Sequence, residues 1–427
     1  MTTIFASKAY LPDGWASDVE ITVDDGEFSS VVVDTGPSRH AELVDIVIPG
    51  VPNAHSHAFQ RALVGRTESR SPADKDNFWS WRTQMYELAN WLGSDDVCDI
   101  ATELYREMLS AGYTSVAEFH YLHRETDGEM HDEAMFEALL EAANTAGIRM
   151  TYVPVLYERA GFDDAEPLEH QQRFVMTCDE YLDHFAAAQD KAEGLVSVGL
   201  GVHSLRAVTP TSLQRVAAVA NEVDCPMHIH IAEQIAEVEQ CVEAYGMRPV
   251  EWLLENVDVK PNWCLVHATH MTAEETVALA ESEAVACICP TTEANLGDGL
   301  FPLAEYLQAG GQIAIGSDSH VSVDPFEELR WLEYGQRLVT RTRNVAAIHD
   351  EHTGAALFDA AVSGGAQVCE CAEIAEGEPA DLVVLQTEEG KLAGHGEDTL
   401  LDALVFGGYP TPIDGVMTDG EWREDDE

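Results

Sequence analysis

The stretch "IPGVPNAHSHAFQRALVG", residues 48–65, opens as an apolar β-strand and ends in a histidine pair followed by a polar, basic run. Successive strand side chains alternate faces, so His55 and His57 point the same way at the strand's exit. A doubly wound open sheet usually carries a Gly-rich phosphate turn after its first strand. Here that place is taken by imidazoles, and a (β/α)₈ barrel is the better expectation. One such pair carries little by itself, so its meaning depends on what the other strand ends supply.

Further candidate strands follow at "YTSVAEFHY", "IRMTYVPVLYE", "LVSVGLGVHS", "PMHIHIAE", "WCLVHATH", "AVACICPTTE" and "QIAIGSDSH". Between them lie amphipathic runs such as "DEAMFEALLEAANTAG", "TPTSLQRVAAVANEV" and "TAEETVALAESE". With "VDIVIPGVPNAHSH" read as one strand, eight apolar strands alternate with helices, the pattern of a parallel barrel. Both ends of the chain are richer in DG and GG turns. "ASDVEITVDDGEFSSVVVDTG" at the front, and "EPADLVVLQT", "LDALVFGGY" and "IDGVMTDGEWRE" at the back, predict short antiparallel strands. The expected organisation is an α/β chain with a small β-sandwich domain built from residues 1–48 and 375–427, flanking a barrel over 49–374.

The charge balance is unusual. Against 77 acidic residues stand 23 basic ones, a net of −54, and only five of the basic residues are lysines. The acids are spread through the chain, with only a short "EDDE" at its end. Such self-repulsion weakens a compact state at low salt and is screened at molar salt, so a salt-rich cytoplasm and a halophilic protein are expected. Nucleic acid and anionic membranes are poor partners for it. The nine cysteines are odd in number and include no CxxC, which favours free thiols in a reducing cytosol. No signal peptide or membrane span is expected.

In a barrel the C-terminal strand ends form the active site. They carry His55 and His57, then His120 with Tyr121, His203, His230 with Glu233, His267 with His270, and Asp318 with His320. Imidazoles and a carboxylate suit Zn²⁺, with iron or manganese also compatible. His228 shares a face with His230; His230 lies nearer the mouth and is the preferred ligand. His228, His270 and His320 fit supporting roles, and His123 and His131 are expected to be solvated. The aromatic run "NFWSWRTQMYELANWL" reads as helix packing rather than a lid, although Arg82 inside it needs a reason.

"HSH", "HIHIAEQ", "VHATH", "GSDSH" and "PADLVVL" resemble the amidohydrolase superfamily of metal-dependent barrel hydrolases. The resemblance is closer to the formimidoylglutamate deiminase family. It is carried by "PNAHSHAFQRALVGRTE", "FWSWRTQMY", "GYTSVAEFHYLH", "HSLRAVTP", "RPVEWLL", "CPTTEANLGDGLFPL" and "GSDSHVSVDPFEELRWLEYGQRL". These run through nearly the whole chain. Two-metal members of the superfamily use a barrel lysine as a bridge, and no lysine here stands at a candidate strand end, so one metal per chain is expected.

The resemblance implies metal ligands His55, His57, His230 and Asp318. It implies catalytic roles for Glu233 as proton shuttle, His267 as orienter of the attacking water, and Asp318 as its proton acceptor. Gln60, Arg82, Tyr121, His203 and Arg206 are implied as substrate contacts. The arginines suit a dicarboxylate because each guanidinium can fork a carboxylate. The implied reaction is hydrolysis of N-formimino-L-glutamate to N-formyl-L-glutamate and ammonia in histidine degradation, by a cytoplasmic homodimer. Deamination of a guanidino acid or a purine-like ring, and an inactive barrel serving as a binding subunit, are the alternatives. A purine would not need Arg82 and Arg206, and an inactive barrel would not need Glu233, His267 and Asp318.

Overall fold

The computed structural model describes residues 1–70, 76–162, 165–369, 373–387, 390–408 and 410–423. Lys75, Cys371 and the acidic 424–427 end lie outside the described residues. Among the described residues sixteen strands form two sheets. In chain order β1 (Thr2–Leu11), β2 (Gly14–Asp24), β3 (Glu27–Val32) and β4 (Glu42–Pro49) come first. The barrel strands are β5 (Val51–Ser56), β6 (Tyr113–His120), β7 (Arg149–Leu156), β8 (Val196–Val198), β9 (Leu200–Ser204), β10 (Met227–Ile231), β11 (Trp263–His267), β12 (Val285–Ile288) and β13 (Gln312–Ile315). The chain then returns through β14 (Leu382–Leu385), β15 (Ile413–Thr418) and β16 (Glu421–Arg423).

The terminal strands make one seven-stranded sheet in the order β16-β15-β14-β4-β1-β2-β3. Its DG signals are turns of the kind the sequence predicts. Asp25 and Gly26, and again Asp419 and Gly420, take positive φ as the two central residues between paired strands. Alternation splits two strands between two cores. Val47, Leu382 and Val384 join Ile4, Ile21 and Phe28 inside the small unit, while Ile46, Ile48, Val383 and Leu385 pack into the main core.

"VDIVIPGVPNAHSH", expected as one strand, is two. It crosses from the small sheet to the barrel at Gly50, where a Cβ would lie 1.9 Å from Thr114 Oγ1, so only glycine fits. "LVSVGLGVHS" is likewise broken into β8 and β9, with Gly199 N donating to Tyr152 O at 2.8 Å. "LDALVFGGY" is not a strand. It lies in the helix Glu397–Phe406, whose Leu400, Leu401, Leu404 and Val405 are buried at helical spacing.

β5, β6, β7, β9, β10, β11, β12 and β13 run parallel and are neighbours in that order, with β8 paired to β7 alone. Closure is made at the mouth. Asp318 N donates to His55 O at 3.0 Å, and His57 N donates to Asp318 O at 3.2 Å, joining the first and last strand ends. The expected amphipathic runs form helices Ala134–Ala146, Pro210–Val223 and Ala273–Glu281 on the outside, the last two capped by Thr209 and Thr272. The eight described cysteines are all free.

Candidate active site and metal centre

Barrel closure brings residues 263 positions apart in sequence to one point. His55 and His57 leave β5 on the same face, and their Nε2 atoms lie 3.2 Å apart. His230, from β10, places its Nε2 3.0 Å from that of His55. Asp318 Oδ1 stands 3.4 Å from His57 Nε2 and 3.7 Å from His55 Nε2. Backbone carbonyls orient two of the rings. His57 Nδ1 donates to Phe119 O at 2.7 Å and His230 Nδ1 to His203 O at 3.0 Å, which turns both Nε2 lone pairs inward.

Burial keeps these imidazoles neutral. It drives His57 down to about 3 and His55 and His230 well below the ordinary range, helped for His55 and His230 by neighbouring imidazoles. Two of these Nε2 lone pairs, those of His57 and His230, are turned inward against His55 Nε2, a cluster of neutral imidazoles that a cation between them would satisfy. The three histidines form one candidate ligand group, and Asp318, which also stands in a second group with His267 and buried Cys289, adds a carboxylate beside His55 and His57; three nitrogens and a carboxylate are a donor set that a divalent ion takes. Burial also raises Asp318, to about 7. His228, by contrast, sits at the barrel's other end, with Nε2 3.2 Å from Val368 O.

His267 stacks on His230 at an interplanar angle of 11°, with Nε2 3.7 Å from Asp318 Oδ2. Its Nδ1 lies 3.3 Å from Glu293 Oε1. Burial works against its proton, but the carboxylates of Glu233, Glu293 and Asp318 outweigh it and hold the ring's pKa up to about 10. Both His267 (φ 71°) and Asp318 (φ 48°) adopt left-handed backbone. Such positions cost about 1–3 kcal/mol each and gather at functional sites. Glu233 stands on the turn after β10. Buried Glu237, four residues on, accepts from Ala232 N at 3.0 Å and Glu233 N at 3.1 Å and so clamps that turn.

Above these groups lies a pocket lined by Gln60, Arg82, Tyr121, His203, Arg206, Glu233, His267 and Asp318. Every residue proposed from the sequence as a substrate contact therefore faces it. Gln60 Nε2 donates to Tyr121 OH at 2.8 Å, leaving Gln60 Oε1 buried without a partner. The His203 ring packs on Tyr121 and Tyr157. Arg82 Nη1 and Arg206 Nε are also buried without hydrogen-bond partners, and neither arginine has an ion pair among the described residues.

The helix Phe78–Ala89 does more than pack. Phe78, Met85 and Tyr86 are buried, yet with Trp81 and Arg82 they form one wall of the pocket. Arg82 apart, the sequence leaves that wall unassigned, along with Leu296, Glu293, Glu237 and Asp298. Glu237 was findable from its four-residue spacing to Glu233, and Glu293 from its place in "CPTTEANLGDG". Asp298, which accepts from Gln234 Nε2, is the aspartate of that same stretch and was findable with Glu293. His123, expected to be solvated, is buried with Nε2 2.9 Å from Val155 O, because the loop after β6 folds under the 3₁₀ turn Glu169–Phe174. His131 is exposed as expected. His120 points away from the pocket, its Nε2 2.7 Å from Leu122 O. His270 and His320 bond to Asp298 O and to Ser317 and Ser56, as supporting residues do.

A parallel barrel closed over a histidine–aspartate metal pocket defines a class of hydrolases, and residues 46–423 match the amidohydrolase family; the chain belongs to that family. Its place there is among the formimidoylglutamate deiminases, since residues 1–42 match the N-terminal domain of formimidoylglutamate deiminase HutF. The chain is 45% identical to the formimidoylglutamate deiminase of Pseudomonas aeruginosa, over 99% of this chain and 94% of that one. It superimposes on the crystal structure of an amidohydrolase from Brucella melitensis with a TM-score of 0.94 and 41% identity, covering 99% of this chain and 94% of that one. The atrazine chlorohydrolase TrzN of Arthrobacter aurescens, crystallised with zinc, shares the fold at 21% identity and a TM-score of 0.84, covering 99% and 95% of the two chains.

Proposed function

We propose that this chain is a single-metal deiminase that hydrolyses N-formimino-L-glutamate to N-formyl-L-glutamate and ammonia, a step of histidine degradation. The observation that carries the reading is the pairing of a histidine–aspartate pocket with two arginines that have no ion pair among the described residues. A dicarboxylate substrate supplies the anions that Arg82 and Arg206 lack, and its formimino group then reaches Glu233 and the ligand set.

His55, His57, His230 and Asp318 would hold the ion, and Zn²⁺ suits three imidazole nitrogens and a carboxylate, as iron or manganese also can. When bound, the ion supplies a Lewis acid that lets water lose a proton near neutral pH. Asp318 would accept a proton from the attacking water, and His267 beside it would orient that water toward the formimino carbon. Glu233 pairs with the cationic imine nitrogen and delivers a proton to it. The water oxygen bonds to the formimino carbon as the carbon–nitrogen double bond becomes single; the bond to the terminal nitrogen then breaks as the new hydroxyl gives up its proton and becomes the formyl carbonyl, and ammonia leaves. Gln60, Tyr121 and His203 shape the wall around the substrate. Substrate approach depends on local cations, because the chain as a whole carries −54.

A barrel over 49–374 and a small β unit from 1–48 and 375–427 remain the proposed division, with Pro49 still in the small sheet and the helix Glu397–Phe406 packing its leucines into the main core. The acidic surface supports a halophilic, cytoplasmic setting. No helix among the described residues is long and apolar enough to cross a membrane. Exposed Trp331, Leu338 and Val339 on one helix are compatible with a homodimer. The deciding experiment is ammonia release from N-formimino-L-glutamate by protein of measured metal content. Turnover with about one ion per chain supports the reading. A preference for a purine or guanidino compound, or no turnover by fully metallated protein, refutes it.

A further inference from the structure

Two guanidinium groups, Arg206 buried and Arg82 half-buried, each with a buried N–H that has no hydrogen-bond partner and with no ion pair among the described residues, are unusual in a chain holding 77 acidic residues. Their surroundings account for it. Arg82 Cζ lies 4.4 Å from the centroid of the Trp79 ring and 5.4 Å from that of Tyr86. Arg206 Cζ, from the turn after β9, lies 5.6 Å from the same Trp79 ring. Trp79, Arg82 and Tyr86 are spaced i, i+3 and i+7 on one face of the helix Phe78–Ala89, so the first ring reaches both cations. Trp79 does not itself line the pocket.

An aromatic face attracts a cation without using its N–H groups, because ring attraction acts on the guanidinium as a whole while hydrogen bonds are made in its plane. A carboxylate in the same place would hold the arginines equally well, but it would occupy the donors the substrate needs. We propose that Trp79 is a positioning residue that selects for a dicarboxylate: its indole holds Arg82 and Arg206 together as a pair while leaving their N–H donors free. Asn77 supports this by capping the helix, its side chain accepting from Trp79 N at 3.0 Å and Ser80 N at 3.4 Å, which ties the indole's backbone to the helix start. This inference rests on the reading of Arg82 and Arg206 as the carboxylate-binding pair.

The test compares the parent with Trp79→Leu and Trp79→Phe, all checked for equal metal content and melting temperature. Three quantities are read: kcat and KM for N-formimino-L-glutamate, the competitive inhibition constant of L-glutamate, and kcat/KM for formamidine, which lacks both carboxylates. Trp79→Leu is expected to raise KM and the inhibition constant about 3- to 30-fold, the worth of a cation–π contact, with kcat and the formamidine value little changed. Trp79→Phe, which keeps an aromatic face, should lose less. It supplies the same comparison at smaller amplitude if the leucine variant does not fold. Unchanged KM and inhibition constants, or equal losses on both substrates, overturn the role of Trp79 while leaving the functional reading intact. Absence of parent turnover on N-formimino-L-glutamate overturns the functional reading instead.

Discussion

Arg206→Met is the sharpest test of how the site reads its substrate. Arg206 is buried, its Nε has no partner, and methionine conserves most of its stem volume, so the fold and the ligand set should survive. A carboxylate left without its partner in a closed site typically costs on the order of 2–5 kcal/mol. The structure pushes the expectation toward the upper half of that range. Arg82 and Arg206 flank one ring, and their Cζ atoms, 4.4 and 5.6 Å from its centroid, are at most about 10 Å apart. At an effective dielectric of about 20 their repulsion is then at least about 1.7 kcal/mol. A dianionic substrate relieves that repulsion on binding, and the variant has none to relieve. The expected loss in kcat/KM toward N-formimino-L-glutamate is therefore about 3–5 kcal/mol, or roughly 10²- to several 10³-fold. Initial-rate ammonia release measures it, with formamidine as the uncharged comparison, which should change far less. Equal losses on both substrates would mean that Arg206 supports the barrel and does not contact a carboxylate. A parent that prefers formamidine would remove the dicarboxylate assignment altogether.

Glu233→Gln should keep its metal yet lose about 10²–10⁴-fold in kcat, because it removes a proton shuttle; metal loss or near-normal turnover would favour a role in supporting the ligands. Stripping the metal should lower the melting temperature, since it removes the shared partner of three buried imidazoles packed Nε2 to Nε2. One equivalent of Zn²⁺ should restore both stability and activity; a requirement for two ions would refute the single-metal site. Melting temperature should rise from low salt toward molar KCl as the −54 charge is screened, and a flat response would remove the halophilic reading. Gly50→Ala should destabilise by at least about 1–3 kcal/mol in denaturant unfolding, because its methyl would overlap Thr114; an unchanged midpoint would show that the crossing between sheets can shift.

The sequence by itself determined the barrel, the β unit made from both termini, and the inventory of the metal pocket. Each of these rests on local regularities. Strand alternation puts His55 and His57 on one face, apolar runs alternate with amphipathic ones, and DG pairs mark hairpins, all within a few residues of chain. The same local view failed where a distant partner decides the outcome. "LDALVFGGY" carries a strand-like pattern, but its leucines are buried at helical spacing in the helix Glu397–Phe406. Gly50 breaks an apparently continuous strand because of Thr114, 64 positions away. His123 looked solvated because nothing near it in sequence foretells the turn that buries it.

Only the tertiary structure decided how the pocket is tuned. The tautomers of His57 and His230 follow from carbonyls on neighbouring strands, and the raised pKa of His267 follows from three carboxylates supplied by separate βα connections. Trp79 belonged to an aromatic stripe indistinguishable from packing until Arg206, 127 residues later, was found beside its ring. Sequence periodicity encodes which face a residue takes on its own element. What waits on that face is set by barrel closure, which joins β5 to β13 and brings a helix over the mouth that no local signal could place there.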